Sequence, residues 1–154
     1  MSDVAPMPAS THVVMGWNGQ LASTAALRVA VDLAQRLDAH VHVVHIGDVD
    51  DLPVDPDASD WAQQFRETVE AQAMDARALL EQLGPRWTYH AVHGRPSDVL
   101  ADLAEQFDAL MIVVGAPRGG VHSFIETFAG QSVSHQLTTK HGRPVLLVPE
   151  PSSA

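Results

Sequence analysis

The residues best placed to do chemistry are glycines at the ends of two apolar runs. Gly16 and Gly19 close the run His12 to Trp17, and Gly115, Gly119 and Gly120 follow the run Ala109 to Val114. A backbone without a Cβ lets a phosphate group approach donor N–H groups closely, so two such turns side by side make a candidate anion cradle. The same glycines are also ordinary turn formers. Gln131 and Ser132 open a helical segment whose first N–H groups and dipole favour an anion, and Arg118 and His122 add positive charge nearby. Two stronger phosphate fingerprints are missing. Gly115 to Gly120 has the glycine spacing of a Walker A loop, but Val121 and His122 stand where Lys and Ser or Thr belong, and no strand leads into G-x-G-x-x-G.

Other chemistry finds little support. Nine histidines invite a metal site, yet His40 and His42 share one strand face by period while His45 points to the other, and His90 and His93 differ by an odd step. No pair has helical i,i+4 or zincin spacing and no cysteine assists, so these residues are expected to be surface and strand-end histidines, with no metal site. The acidic segment fails as a calcium loop: starting at Asp55, the required Gly and Glu positions hold Asp60 and Arg66. Ser132 and Ser134 diverge from His135 on a helix, and there is no G-x-S-x-G elbow. No catalytic residue is expected.

The elements that must position the glycines follow from composition and period. A chain of 154 residues fits one domain, and 45% apolar residues support a sizeable core. The formal charge of −10 repels phosphate backbones and anionic lipid surfaces, so neither nucleic acid nor membrane is expected as a partner. The absence of cysteine excludes disulfides, thiol nucleophiles and iron–sulfur clusters. No window approaches the roughly 20 apolar residues of a membrane span, and Met1 to Ser10 has no basic, apolar leader, so a cytoplasmic location is expected.

Short β-branched runs alternate with segments of helical period, the pattern of βαβ units and a parallel sheet. Strands are predicted at His12 to Trp17, His40 to Ile46, Trp87 to Val92, Ala109 to Val114 and Pro144 to Val148. Helices are predicted at Ala22 to Leu37, Ser59 to Leu83, from Pro96 through Phe107, and from Gly130 to about His141. The expected organisation is a tail at 1–10, one domain at 11–149 with an exposed acidic loop at 47–58, and a tail at 150–154. Right-handed crossovers allow the strand orders 3-2-1-4-5 and 2-1-3-4-5. Glycines at the ends of the first and fourth strands favour 3-2-1-4-5, an open five-stranded parallel α/β sheet of Rossmann-like type with helices on both faces. Ligands in such sheets sit beyond the strand carboxyl ends, where the order reverses.

From His12 to Pro149 the chain resembles the universal stress protein family. The resemblance rests on the strand–glycine opening Val13 to Gln20, Val43-Val-His-Ile46, His93-Gly-Arg-Pro96, Leu110-Met-Ile-Val-Val-Gly115 and Pro144-Val-Leu-Leu-Val-Pro149, in that order. It implies a stress-response protein that binds ATP or another adenine nucleotide. The family motif G-x2-G-x9-G-[S/T] is altered here. Arg118 stands where the second glycine belongs, and Gly130 is followed by Gln131, with Ser132 one place late. The family's acidic residue after the first strand falls on Asn18, whose amide can still bond a ribose hydroxyl but offers a magnesium ion no charge. Its main-chain contact to adenine falls on Ile46.

The expected nucleotide site is therefore Gly16, Trp17, Asn18, Ile46, Gly115, Arg118, Gly119, Gly120, Gly130, Gln131, Ser132 and Val133. The resemblance also implies a homodimer through the last strand, Val145, Leu146, Leu147 and Val148, whose apolar edge is fenced by Pro144 and Pro149. The competing expectation is a dimeric interaction module of the same fold that binds no nucleotide. Enzyme activity, if any, would be slow ATP hydrolysis.

Overall fold

The structure is a computed structural model describing residues 11–46, 57, 59–116 and 142–151. The element order is β1 (His12–Trp17), α1 (Leu21–Leu37), β2 (His40–Ile46), α2 (Trp61–Leu80), β3 (Trp87–Val92), α3 (Pro96–Gln106), β4 (Met111–Ala116) and β5 (Val145–Pro149). All strand pairs are parallel and the sheet order is β3-β2-β1-β4-β5. The predicted order 3-2-1-4-5 is the one observed. The helix predicted from Gly130, most of the acidic loop at 47–58, and the tails at 1–10 and 152–154 lie outside the described residues.

Helices cover both faces. Odd-numbered residues of β1 and β2, Val13, Met15, Val41 and Val43, pack with Ala26, Leu27, Ala30 and Ala34 of α1 and with Ala76 and Leu80 of α2. Even-numbered Val14, Val44, Ile112 and Val114 pack with Leu100, Ala101 and Ala104 of α3. Val13, Val14, Val43 and Val44 are all fully buried. A strand covered on both sides thus carries β-branched residues at successive positions rather than in alternation.

Several boundaries shift by one to three residues from the sequence expectation, and two of the shifts have a clear local reason. The predicted second helix becomes α2 followed by a tight turn at Glu81–Leu83, and Gly84 at φ 60 ends it with its N–H on the Glu81 carbonyl. The fourth strand begins at Met111 instead of Ala109. Asp108 takes a left-handed φ of 49, and the Ala109 N–H donates back to the Ala104 carbonyl at 2.8 Å. That bond closes α3 and keeps Ala109 out of the ladder.

The histidines depart further from expectation. His42 and His45 are not surface residues: they are 3% and 4% exposed, in the middle of β2. His12, His40 and His90 are half-buried and pack beside His42 on the α3 face. No group of described residues is arranged to hold a metal ion.

Candidate functional site

The strand order reverses between β1 and β4, which are neighbours in the sheet but far apart in sequence. At this point β1 continues into Asn18 and Gly19, and β4 ends in Gly115 and Ala116. Gly16 and Trp17 lie beside Val44 and His45 of β2, with Ile46 next along β2. The described part of the predicted site is thus brought together at one end of the sheet. Arg118, Gly119, Gly120, Gly130, Gln131, Ser132 and Val133 lie outside the described residues.

Each described residue contributes something specific. A Cβ at Gly115 would run into the main chain of Ala22 and Ser23, so the bare backbone at this position is what lets α1 close on β4. Gly19 has φ 76 and its missing Cβ is replaced in space by the Gln72 side chain, whose Cγ would be 2.5 Å away. At Gly16 a Cβ would meet only Leu100 and Val114 side chains at ordinary distances of 3.6 and 3.7 Å, so packing does not demand glycine there. Trp17 is 3% exposed, and its indole Nε1 donates to the Gln72 carbonyl at 3.1 Å under α2. Its side chain belongs to the core, and only its main chain borders the crevice. Ile46 likewise packs its side chain against the α3-face core.

Asn18 organises the turn into α1. Its Oδ1 accepts from the Gln20 N–H at 3.0 Å and its own N–H donates to Ser23 Oγ at 3.3 Å. Ser23 Oγ and Thr24 Oγ1 both donate to the Gln20 carbonyl at 3.0 Å. The first turn of α1 contains no acidic residue, and Gln20 supplies no side-chain cap. The positive end of this helix is therefore left without a neutralising side chain of its own.

Gln72 was not anticipated. From α2 it receives the Trp17 indole on its carbonyl, fills the space beside Gly19, and places its Oε1 3.0 Å from His45 Nε2. Burial pulls the His45 imidazole below its ordinary range, and the bond to Gln72 opposes that. The signal was present: position 72 lies three residues after Val69 and four before Ala76, so a polar side chain sits on the buried stripe of α2. A shallow cavity of about 400 Å³ lies at the opposite end of the sheet, lined by Thr11, His12, Asp108, Leu110, Arg143 and Pro144, and is no part of this crevice.

Comparison with known proteins agrees with this fold. The model of the universal stress protein family matches residues 10–149. A universal stress protein family member from Burkholderia pseudomallei is 25% identical, with a TM-score of 0.65 over 94% of this chain and 99% of that one. A universal stress protein in complex with cAMP is 19% identical, with a TM-score of 0.67 over 93% and 99% of the two chains. The universal stress protein from Archaeoglobus fulgidus in complex with dAMP is 20% identical, with a TM-score of 0.60 over 90% and 97%. No curated protein matches the sequence.

Proposed function

The chain belongs to the universal stress protein family, and from that premise we propose that it binds ATP or another adenine nucleotide in the crevice between β1 and β4. The observation that carries this reading is the reversal of strand order at that crevice, with Asn18 and Gly115 at its two sides. Similar folds bound to cAMP and dAMP support the choice of an adenine nucleotide. The Ile46 main chain would meet the base, and Asn18 the ribose. Arg118 and the N–H groups of Gly119, Gly120, Gly130, Gln131, Ser132 and Val133 would meet the phosphates. Asn18 brings no charge for a magnesium ion, so binding in this reading does not require one.

A second reading keeps the fold and drops the nucleotide. The Asn18 Oδ1 is already engaged by the Gln20 N–H, and the edge strand β5 shows Leu146 and Leu147 at 37% and 45% exposure. This reading makes the chain a dimeric interaction module. Both readings include a homodimer through β5, whose outer edge pairs with no other described strand. Mass spectrometry of the denatured protein, with melting temperature measured against millimolar ATP, separates them. A co-purified adenylate or a rise in Tm supports the first, and neither signal leaves the second. No helix among the described residues is long and apolar enough to cross a membrane.

A further inference from the structure

From the amino ends of β1 and β2 to the middle of β3, three strands present imidazoles to the α3 face. His12 of β1 lies beside His40 of β2, Val14 beside His42, and His90 of β3 beside Val44. Register thus brings four rings from three strands together. They are linked as well as close. His12 Nδ1 is 3.0 Å from His42 Nε2, and His42 Nδ1 is 3.1 Å from His90 Nε2, so His42 spends both ring nitrogens on its neighbours. His40 Nε2 contacts Thr88 Oγ1 at 2.8 Å, and its ring lies 4.7 Å from that of His42. Phe107, just past α3, stacks on His42 with centroids 3.9 Å apart and tilts against His90 at 5.7 Å.

Counting protons shows what the chain of rings allows. A bond between two ring nitrogens needs one proton, and each neutral imidazole carries one. The three linked rings have six nitrogens, four of them in the two links. Three neutral rings hold three protons, one in each link and one on an outer nitrogen, His12 Nε2 or His90 Nδ1. A fourth proton fits on the other outer nitrogen with both links intact. A fifth must enter a link, where two N–H groups would then face each other.

The surroundings offer such charge little relief. α3 turns Leu100, Ala101 and Ala104 to this face and then Phe107, none of them titratable. At the rim, Arg86 starts the approach to β3 and pairs with Asp38 at 3.2 Å, while Asp108 pairs with Arg143 at 3.5 Å. Both carboxylates are more than nine-tenths exposed, at 91% and 97%. Burial holds His40, His42 and His90 below the usual imidazole range. Neighbouring rings add to this at His40 and His42, and Arg86 at His40; His42 falls to about 3.

We propose that the His12–His42–His90 chain is an acid-operated catch, in which uptake of a second proton breaks a ring-to-ring bond and releases Phe107 and the end of α3 from the sheet. His42 is buried, and the half-buried His12 and His90 are the ends through which protons enter. His42 and His90 titrate lower in the folded chain than in the unfolded one, so below pH 6.5 the unfolded state binds more protons. The stability held by the neutral chain is fully present above that pH and is lost as pH falls.

Urea unfolding and amide hydrogen exchange, each followed from about pH 8 to about pH 5, test the proposal on wild type, His42→Val and His12→Gln/His90→Gln. Below pH 6.5 the unfolding constant of wild type should rise about tenfold more per pH unit than that of His42→Val, the effect of one proton. His45, on the opposite face, is common to all three proteins and cancels. Protection factors at Leu103 to Ala109, the intrinsic exchange rate at each pH divided by the observed rate, should fall with acid in wild type. They should hold in His12→Gln/His90→Gln, whose amides can turn to meet either state of His42. That variant decides the matter where His42→Val does not fold. Equal pH slopes in the folded proteins, or acid opening that begins away from residues 103–109, overturn the proposal.

Discussion

Gly115 at the end of β4 lies so close to Ala22 in the first turn of α1 that any side chain at 115 would overlap the Ala22 carbonyl. The obstacle is main chain, which cannot swing aside as a flexible side chain would. Gly115→Ala should therefore lower the unfolding free energy by about 1–3 kcal/mol, read by urea denaturation. Amides 22–26 at the start of α1 should exchange faster in the variant. Unchanged stability and protection would mean that α1 shifts freely and does not define the crevice.

In the proposed site, uncharged Asn18 stands beside the start of α1. Asn18→Asp keeps the acceptor for the Gln20 N–H and places a carboxylate beside a helix terminus that has no acidic residue in its first turn. The variant should gain about 0.3–1 kcal/mol at low salt and lose that gain as salt rises. Its ATP binding should also become dependent on magnesium, measured by titration with and without the cation. A variant whose nucleotide binding ignores magnesium would place residue 18 away from the phosphates.

Tyr89 gives a prediction of opposite sign. Its hydroxyl is buried with no hydrogen-bond partner among the described residues, and burial pushes its pKa up to about 12 against the pull of Arg77. A buried group of this kind costs more than it returns. Tyr89→Phe should raise the unfolding free energy by about 1 kcal/mol. A loss of stability would reveal a partner for the hydroxyl.

The edge strand carries the assembly prediction. Leu146 and Leu147 are exposed on β5, and a charge in the middle of a strand-to-strand seam has no favourable partner across a two-fold axis. Leu146→Glu or Leu147→Glu should give a monomer by light scattering at concentrations where the parent is a dimer. A variant that stays dimeric moves the interface elsewhere.

Much of the architecture was legible because it depends on local pattern. Glycines at 16, 19 and 115 marked the two strand ends that flank the order reversal, and they selected the observed topology over 2-1-3-4-5. The histidine chain was not legible. Alternation along β2 gave the correct faces for His40, His42 and His45, but whether His12 and His90 meet His42 depends on which strands are neighbours and in what register. Trp17 was misleading for a related reason. Position told that it ends β1 at the crevice, but only packing shows its indole turned under α2 to the Gln72 carbonyl.

The central claim is that the end of the sheet between β1 and β4 holds an adenine nucleotide. Calorimetric titration of ATP into the purified, nucleotide-free protein at low salt tests it most directly. Saturable heat, with one nucleotide per chain and weaker binding in Gly115→Ala, is the expected result. No heat at millimolar ATP from a correctly folded protein would contradict the claim.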